Sequence, residues 1–291
     1  MKKETRNAII IVAVLAILIG GGYLGLKAYS GVEPPMTVIN SGSMMHSKDS
    51  QIGIIDTGDM IVVRSPDKVS IKTYVDGEKS GYRSFGEYGD VIVYKKPNQN
   101  IIHRAMVHLE LRSNDGSTVV WYIPSLQGYD KWDVTSTNDY STTKIKDQCW
   151  NEDTGELTLT SAHEKWYFWL SVVGYGGVNA GIDLYAMGKP AAVGYSGYLT
   201  KGDNATTNRN FDQSSSIYPY LVDDDIIKSV AEKEVPWLGS IKLMLKGNGD
   251  SIPSNSKTDL LLSFLGLVAI IVAANIASGY ISKRLSEKKK E

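Results

Sequence analysis

The stretch Asn40-Ser41-Gly42-Ser43-Met44-Met45-His46 sets two hydroxyls around a glycine, with a histidine close behind. A serine beside glycine ordinarily marks a turn, because glycine reaches positive φ and the hydroxyl bonds local backbone. The same residue types can also do acyl chemistry. That chemistry needs a nucleophile, a base to take its proton, and donors for the developing oxyanion. Ser43 is the candidate nucleophile, and Gly42 permits a tight backbone approach beside it. The chain has four histidines, at 46, 103, 108 and 163. His103 stands in the apolar run Ile101-Ile102-His103-Arg104, which a sheet would hold rigidly. An imidazole ordinarily titrates near neutrality, which suits a general base. His46 follows Ser43 too closely in a turn to reach in-line geometry, so it reads as substrate-side or structural. His108 and His163 read as surface residues. Lys95 and Lys96 offer a Ser–Lys alternative, but tandem lysines before Pro97-Asn98 read better as a solvated turn. A third group should hold the imidazole in one tautomer. Asp203 and Asp212 are the candidates, and an acidic turn is the plainer reading of either.

The strand-like runs that would carry these residues are short. Val38-Ile39, Met60 to Val63, Val91 to Tyr94, Thr118 to Ile123, Leu157 to Leu159, Trp166 to Val173 and Ala191 to Leu199 are rich in β-branched and aromatic residues. Clusters of Gly, Asn, Asp and Ser separate them as turns would. The fold class is therefore mainly β. Ile226 to Glu234 has a weak helical period and is left open between helix and strand.

Two uncharged spans flank this β region. Ala8 to Leu26 follows Lys2, Lys3 and Arg6, and Leu260 to Ile281 lies between Asp259 and Lys283. Each has about the length a helix needs to cross a bilayer core. The first outruns the apolar core of a cleavable signal peptide, so it reads as a retained anchor. Basic residues outside both spans put both termini in the cytoplasm. The expected organisation is a cytoplasmic N-terminus (1–7), a transmembrane helix (8–28), an extracytoplasmic domain (29–258), a second transmembrane helix (259–282) and a basic tail (283–291).

The motifs also stand in a particular order. Ser41-Gly42-Ser43-Met44 is followed by Thr57-Gly58-Asp59-Met60-Ile61-Val62-Val63, Gly89-Asp90-Val91-Ile92-Val93-Tyr94, Ile102-His103-Arg104 and Thr200-Lys201-Gly202-Asp203-Asn204. This set resembles type I signal peptidases. It is most similar to the archaeal and endoplasmic-reticulum branch, in which a histidine stands in for a lysine base. Pro236-Trp237-Leu238-Gly239 is similar to that branch's segment after the last catalytic box. The resemblance implies a β-rich catalytic domain, Ser43 as nucleophile, His103 as base, the Ser41 hydroxyl as an oxyanion donor and Met44 as a substrate contact. It also implies a second aspartate, after the Gly-Asp-Asn box, as the histidine's partner. Asp212 is the nearest match, at a longer spacing than the family's, and Asp203 then shapes the site. The family has a strand near 226–234. Residues 65–88 separate motifs that usually lie close, and 107–195 form a long Tyr- and Trp-rich insertion, expected to be a β-rich accessory subdomain. Its aromatic residues suit either a contact surface or the core of a small sheet. The implied partners are signal peptides of secretory preproteins, membrane lipid and the translocation channel.

Composition sets the remaining bounds. A formal net charge of −1 over 291 residues makes no case for nucleic-acid binding. The single cysteine, Cys149, excludes an intramolecular disulfide and reads as a small buried hydrophobe. No Cys/His cluster points to a metal, no cofactor is expected, and Asp223-Asp224-Asp225 reads as a solvated loop. Asn204-Ala205-Thr206 is a glycosylation sequon that should stay unmodified, since a glycan would crowd the site. A competing class is a non-catalytic, membrane-tethered β module, in which the Ser43 and His103 motifs would be idle. An esterase is disfavoured, because no Gly-x-Ser-x-Gly elbow is present.

Overall fold

Val91 and Val93 point to one side of their strand and Ile92 and Tyr94 to the other, as a two-residue period requires. Each pair joins a different core. The valines pack with Ile39, Met44, Ile55 and Ile61, while Ile92 and Tyr94 pack with Ala105, Val222 and Val230. A sheet covered on both faces follows from that pattern.

The structure is a computed structural model, which describes the backbone of residues 3–288 and the side chains of 13, 14 and 16–280. Helix α1 (Lys3–Ser30) leads into strands β1 (Met36–Val38) and β2 (Met60–Arg64). Helix α2 (Tyr74–Ser80) and the hairpin β3 (Arg83–Ser84) and β4 (Glu87–Tyr88) precede β5 (Val91–Lys96) and β6 (Gln99–Asn114). Then come β7 (Thr118–Tyr122), β8 (Trp132–Thr135), β9 (Trp150–Asn151), β10 (Glu156–Thr160), β11 (Tyr167–Val173) and β12 (Val178–Asp183). Helix α3 (Leu184–Gly188), β13 (Ser196–Lys201), β14 (Ile227–Val235), α4 (Ser240–Leu245) and α5 (Ser254–Lys288) complete the chain. Among the described residues, the main sheet has nine strands in the order β1-β2-β14-β5-β6-β7-β10-β9, with β13 also on β6. A second sheet runs β12-β11-β8. Named strand pairs are antiparallel throughout.

The segment left open at 226–234 is strand β14, in mid-sheet between β2 and β5. Its helical period is overridden by pairing on both edges. The stretch 65–88 holds α2, started by a capping box between Thr73 and Asp76, and the β3–β4 hairpin. The insertion does not begin at 107 as a separate body. β6 runs unbroken through that point, pairs with β5 in its first half and with β13 and β7 in its second, and so extends the same sheet. Of the expected strand 191–199, only Ser196 onward is strand. The insertion's aromatics settle into a core: Trp121, Trp132, Trp166, Phe168 and Trp169 are buried, each large ring worth roughly 1.5–3 kcal/mol. Lys95 and Lys96 end β5 rather than forming the turn, which falls at Pro97-Asn98 with Asn98 at φ 70°.

Among the described residues one helical stretch, Ser254–Tyr280, is long and apolar enough to cross a membrane by length and composition. It begins ahead of the expected boundary at 259. The expected termini 1–7 and 283–291, and part of the first span, lie outside the described side chains. Asn255 ties α5 to the loop between β1 and β2: its side chain accepts from Ser50 N–H (3.0 Å) and donates to Ser50 C=O (2.9 Å). At the other end of the chain, Ser65 N–H donates to Ser30 C=O (2.8 Å), which fastens the end of α1 to β2.

Candidate active site

His103 lies opposite Ile92 in the β5–β6 ladder, so it shares a face with Ile92 and Tyr94. On that face the chain returns after β13 and presents Asp212. His103 Nδ1 lies 2.7 Å from one Asp212 carboxylate oxygen and 2.9 Å from the other. Tyr94 Oη (2.8 Å) and Thr200 Oγ1 (2.6 Å) donate to the same carboxylate, and Asp212 N–H donates to Thr200 C=O (2.8 Å). Burial by itself would raise the Asp212 carboxyl. The adjacent His103 and the donated hydrogen bonds outweigh burial and hold it below its ordinary value. Tyr94 is pushed strongly upward by burial and by that carboxylate, so it stays a donor.

Arg104 is the next residue along β6 and therefore faces the other way. It is fully buried and meets Asp203 in a two-point contact, Nε at 2.9 Å and Nη2 at 2.5 Å. Its remaining nitrogen donates to Gly89 C=O (2.8 Å) and Tyr88 C=O (3.2 Å). Burial works against the Asp203 charge, but the guanidinium outweighs it and holds the carboxyl well below the usual range. Asp203 thus braces the site and Asp212 faces the imidazole. Residue types alone had left that division open, and the resemblance gave Asp212 only as the nearest match. Lys201, also buried, donates to Gly202 C=O (2.8 Å); burial lowers its ammonium, against the pull of Asp203 and Asp212.

Ser43 is held from behind by the Gly202-Asp203-Asn204 turn. Asn204 N–H donates to Ser43 C=O (2.9 Å), and its side-chain amide donates to Gly42 C=O (2.8 Å). The amide nitrogen of the sequon is therefore engaged. Gly202 is required here: a Cβ on it would stand 2.6 Å from the Ser43 carbonyl oxygen. At Gly42 a Cβ would meet Met45 Sδ at 3.1 Å, so the approach is tight there too. Ser41 Oγ lies 3.4 Å from Ser43 Oγ. Met44 is 1% exposed and packs in the core beneath the loop, so the expected substrate contact is instead part of the loop's support.

Ser41, Ser43 and His103 line one groove of about 590 Å³. One wall is β1 and the segment to Ser41; the other is Gln99 to His103 of β6. Both walls are sheet edges. Among the described residues β1 pairs only with β2, and β13 leaves β6 at Arg104, so the stretch before it lacks a neighbour on that side. A larger cavity of about 870 Å³ lies against β2 and β14. It has none of Ser43, His103 or Asp212 in its lining, so size alone does not select the site.

The other sequence candidates fall elsewhere. His108 and His163 are half-buried against Tyr198 and Trp166, not surface residues. The His46 side chain is buried beside Asp203, with Nε2 at 3.7 Å. Cys149 is buried and its thiol is pushed up to about 12, which makes it inert as a nucleophile. Asp223 caps the short turn before β14 by accepting from Ile226 N–H. Pro236-Trp237-Leu238-Gly239 packs on Thr57-Gly58-Asp59, with Trp237 N–H donating to Asp59 at 2.9 Å. Sequence reasoning missed the supporting donors Tyr94, Thr200 and Arg104. All three lie inside or beside the motifs, and strand alternation around His103 was the available signal. No protein-family profile, curated protein or solved structure matches the chain.

Proposed function

We propose that the chain is a membrane-bound serine endopeptidase that removes signal peptides from exported preproteins. Ser43 is the nucleophile, His103 the general base and Asp212 the carboxylate behind it. The observation that carries this reading is the His103–Asp212 contact beside a groove that Ser43 also lines. With Nδ1 donating to Asp212, Nε2 is the nitrogen able to accept a proton.

Ser43 Oγ adds to the scissile carbonyl carbon as its proton passes to His103 Nε2. The Ser43 N–H and the Ser41 hydroxyl stabilise the oxyanion. Collapse breaks the C–N bond, and the leaving amine takes the proton from His103. Water then attacks the acyl-enzyme with His103 again as base, which releases the signal peptide as a carboxylate and restores Ser43. Asp212 stays ionised and stabilises the imidazolium. Two unpaired edges facing one groove suit an extended peptide added as a strand, held by backbone hydrogen bonds. Alternate side chains of such a strand enter pockets, and the resemblance to type I signal peptidases implies shallow ones that take small residues.

The membrane part of the proposal is two crossings, with both termini cytoplasmic and the catalytic domain outside. Its support is the exposed apolar surface of α5, with Leu262, Leu265 and Ile270 each more than half exposed, and the exposed Ile17, Leu18 and Ile19 of α1. Signal peptides, lipid and the translocation channel are the partners of such a protein. The test is a preprotein series varying the first and third residues before the cut among Ala, Ser, Leu and Trp, with Ser43→Ala as control. Ala and Ser are expected to be cut and Trp rejected. Equal cleavage of the Trp and Ala variants would sink the reading.

A further inference from the structure

The turn joining β11 to β12 reaches back from the insertion onto the serine loop. Gly174 N–H donates to Tyr74 Oη at 3.1 Å, and a Cβ on Gly176 would stand 2.7 Å from the methyl of Ala205. Between these contacts Tyr175 lays its ring on the imidazole of His46. The centroids are 4.3 Å apart and the planes 6° from parallel. Gly86 closes in on the same imidazole: a Cβ there would meet His46 Cε1 at 3.1 Å. The ring thus has a tyrosine stacked on it and the Gly86 backbone close to its Cε1.

His46 Nε2 stands 3.7 Å from Asp203, and the residue after Asp203 holds the Gly42 and Ser43 carbonyls. The serine loop is therefore gripped at two points. Asn204 fixes its carbonyls, and the Tyr175 stack fixes the side chain three residues beyond Ser43. Stacked rings have a preferred geometry, so the contact orients as well as fills.

We propose that Tyr175 is a positioning residue, which holds Ser43 in line with His103 by clamping His46. The insertion is then part of the machinery that aligns the nucleophile. The kinetic consequence rests on the peptidase reading; the loop-ordering consequence does not. Tyr175 is 43% exposed and none of the hydrogen bonds described above involves its hydroxyl, so its ring is what the role requires.

The experiment uses the full chain in detergent and measures both preprotein cleavage and amide hydrogen exchange over residues 40–48. Tyr175→Ala is expected to lower kcat by ~10–100-fold, the scale for misplacing a reacting group by about 1 Å. KM should stay within about twofold, and exchange over 40–48 should quicken while that of β6 does not. Tyr175→Phe keeps the ring and should restore both readouts. Adding Tyr175→Ala to His46→Ala should cost nothing further, because the two residues share one contact. Wild-type kcat and exchange in Tyr175→Ala would overturn the proposal. So would a Tyr175→Phe variant as slow as the alanine, or additive losses in the double variant. If the wild-type chain cuts no preprotein, the peptidase reading falls, and the exchange result alone then decides the positioning role.

Discussion

Asp203 and Asp212 lie close together in sequence yet meet different partners, Arg104 for the first and His103 for the second. Their substitutions should therefore fail in different ways. Asp212→Asn presents an amide to His103 Nδ1 and favours the wrong tautomer, which in a Ser–His–Asp system costs on the order of 10⁴ in kcat. Asp203→Asn leaves a fully buried guanidinium without its charge partner, a change that typically costs 3–5 kcal/mol of stability. Thermal unfolding and preprotein kinetics on both variants separate the two effects; if Asp203→Asn proves the slower enzyme at equal folding, the assignment is reversed. Ser43→Ala and His103→Ala should each reduce cleavage by several orders of magnitude, with the double variant little worse, because such residues act as a unit. Lys95→Ala and Lys96→Ala should be mild. An inactive lysine variant beside an active His103→Ala would replace the histidine base with a lysine. Gly202→Ala should abolish cleavage, since its Cβ would drive into the Ser43 carbonyl.

At the scale of elements, the junction of β14 with the Asp59 loop holds carboxyls that resist ionising. Burial pushes Glu234 up to about 7, with Asp59 and Asp56 adding to it, and burial pushes Asp59 up to about 6. A folded value above the unfolded one means the folded state binds the proton more tightly. The stability this contributes is fully present below the unfolded values near 4 and is lost as pH rises through about 6 to 7. Glu234→Gln should therefore flatten the decline in thermal stability between about pH 4.5 and 7.5. About 1 kcal/mol is expected, discounted because the side chain is only half-buried. Melting curves of wild type and variant at the two ends check this, and parallel declines would exclude Glu234 as the source. In α2, Thr73→Ala removes one half of the capping box and should cost about 1 kcal/mol.

Across the whole molecule, both terminal helices are fastened to the β domain, α1 by Ser30 at the end of β2 and α5 by Asn255 at Ser50, on the loop that carries Ser43. In the two-crossing arrangement proposed above, that keeps the groove close to the outer membrane surface, where a substrate still anchored by its own apolar segment presents its next residues. External protease on intact cells or spheroplasts should attack the 29–258 region and spare both termini. Protection of 107–195 until lysis would reverse the orientation.

The sequence by itself determined what local pattern can carry. Short runs rich in β-branched and aromatic residues marked the strands, runs of uncharged residues marked the apolar helices, and a glycine beside Ser43 marked a tight turn. It also narrowed the histidine's partner to two carboxylates. Tertiary structure decided which of them, because Asp203 and Asp212 sit on a loop whose two ends pass opposite faces of β6. No local period encodes that. It likewise decided that 226–234 is a strand, since ladders on both its edges outweigh its own propensity, and that Met44 points into the core. The insertion's bond to the site was beyond any reading of the chain in order. Tyr175 and His46 meet only because β6 continues from the catalytic sheet into the insertion and the β11–β12 turn folds back over it.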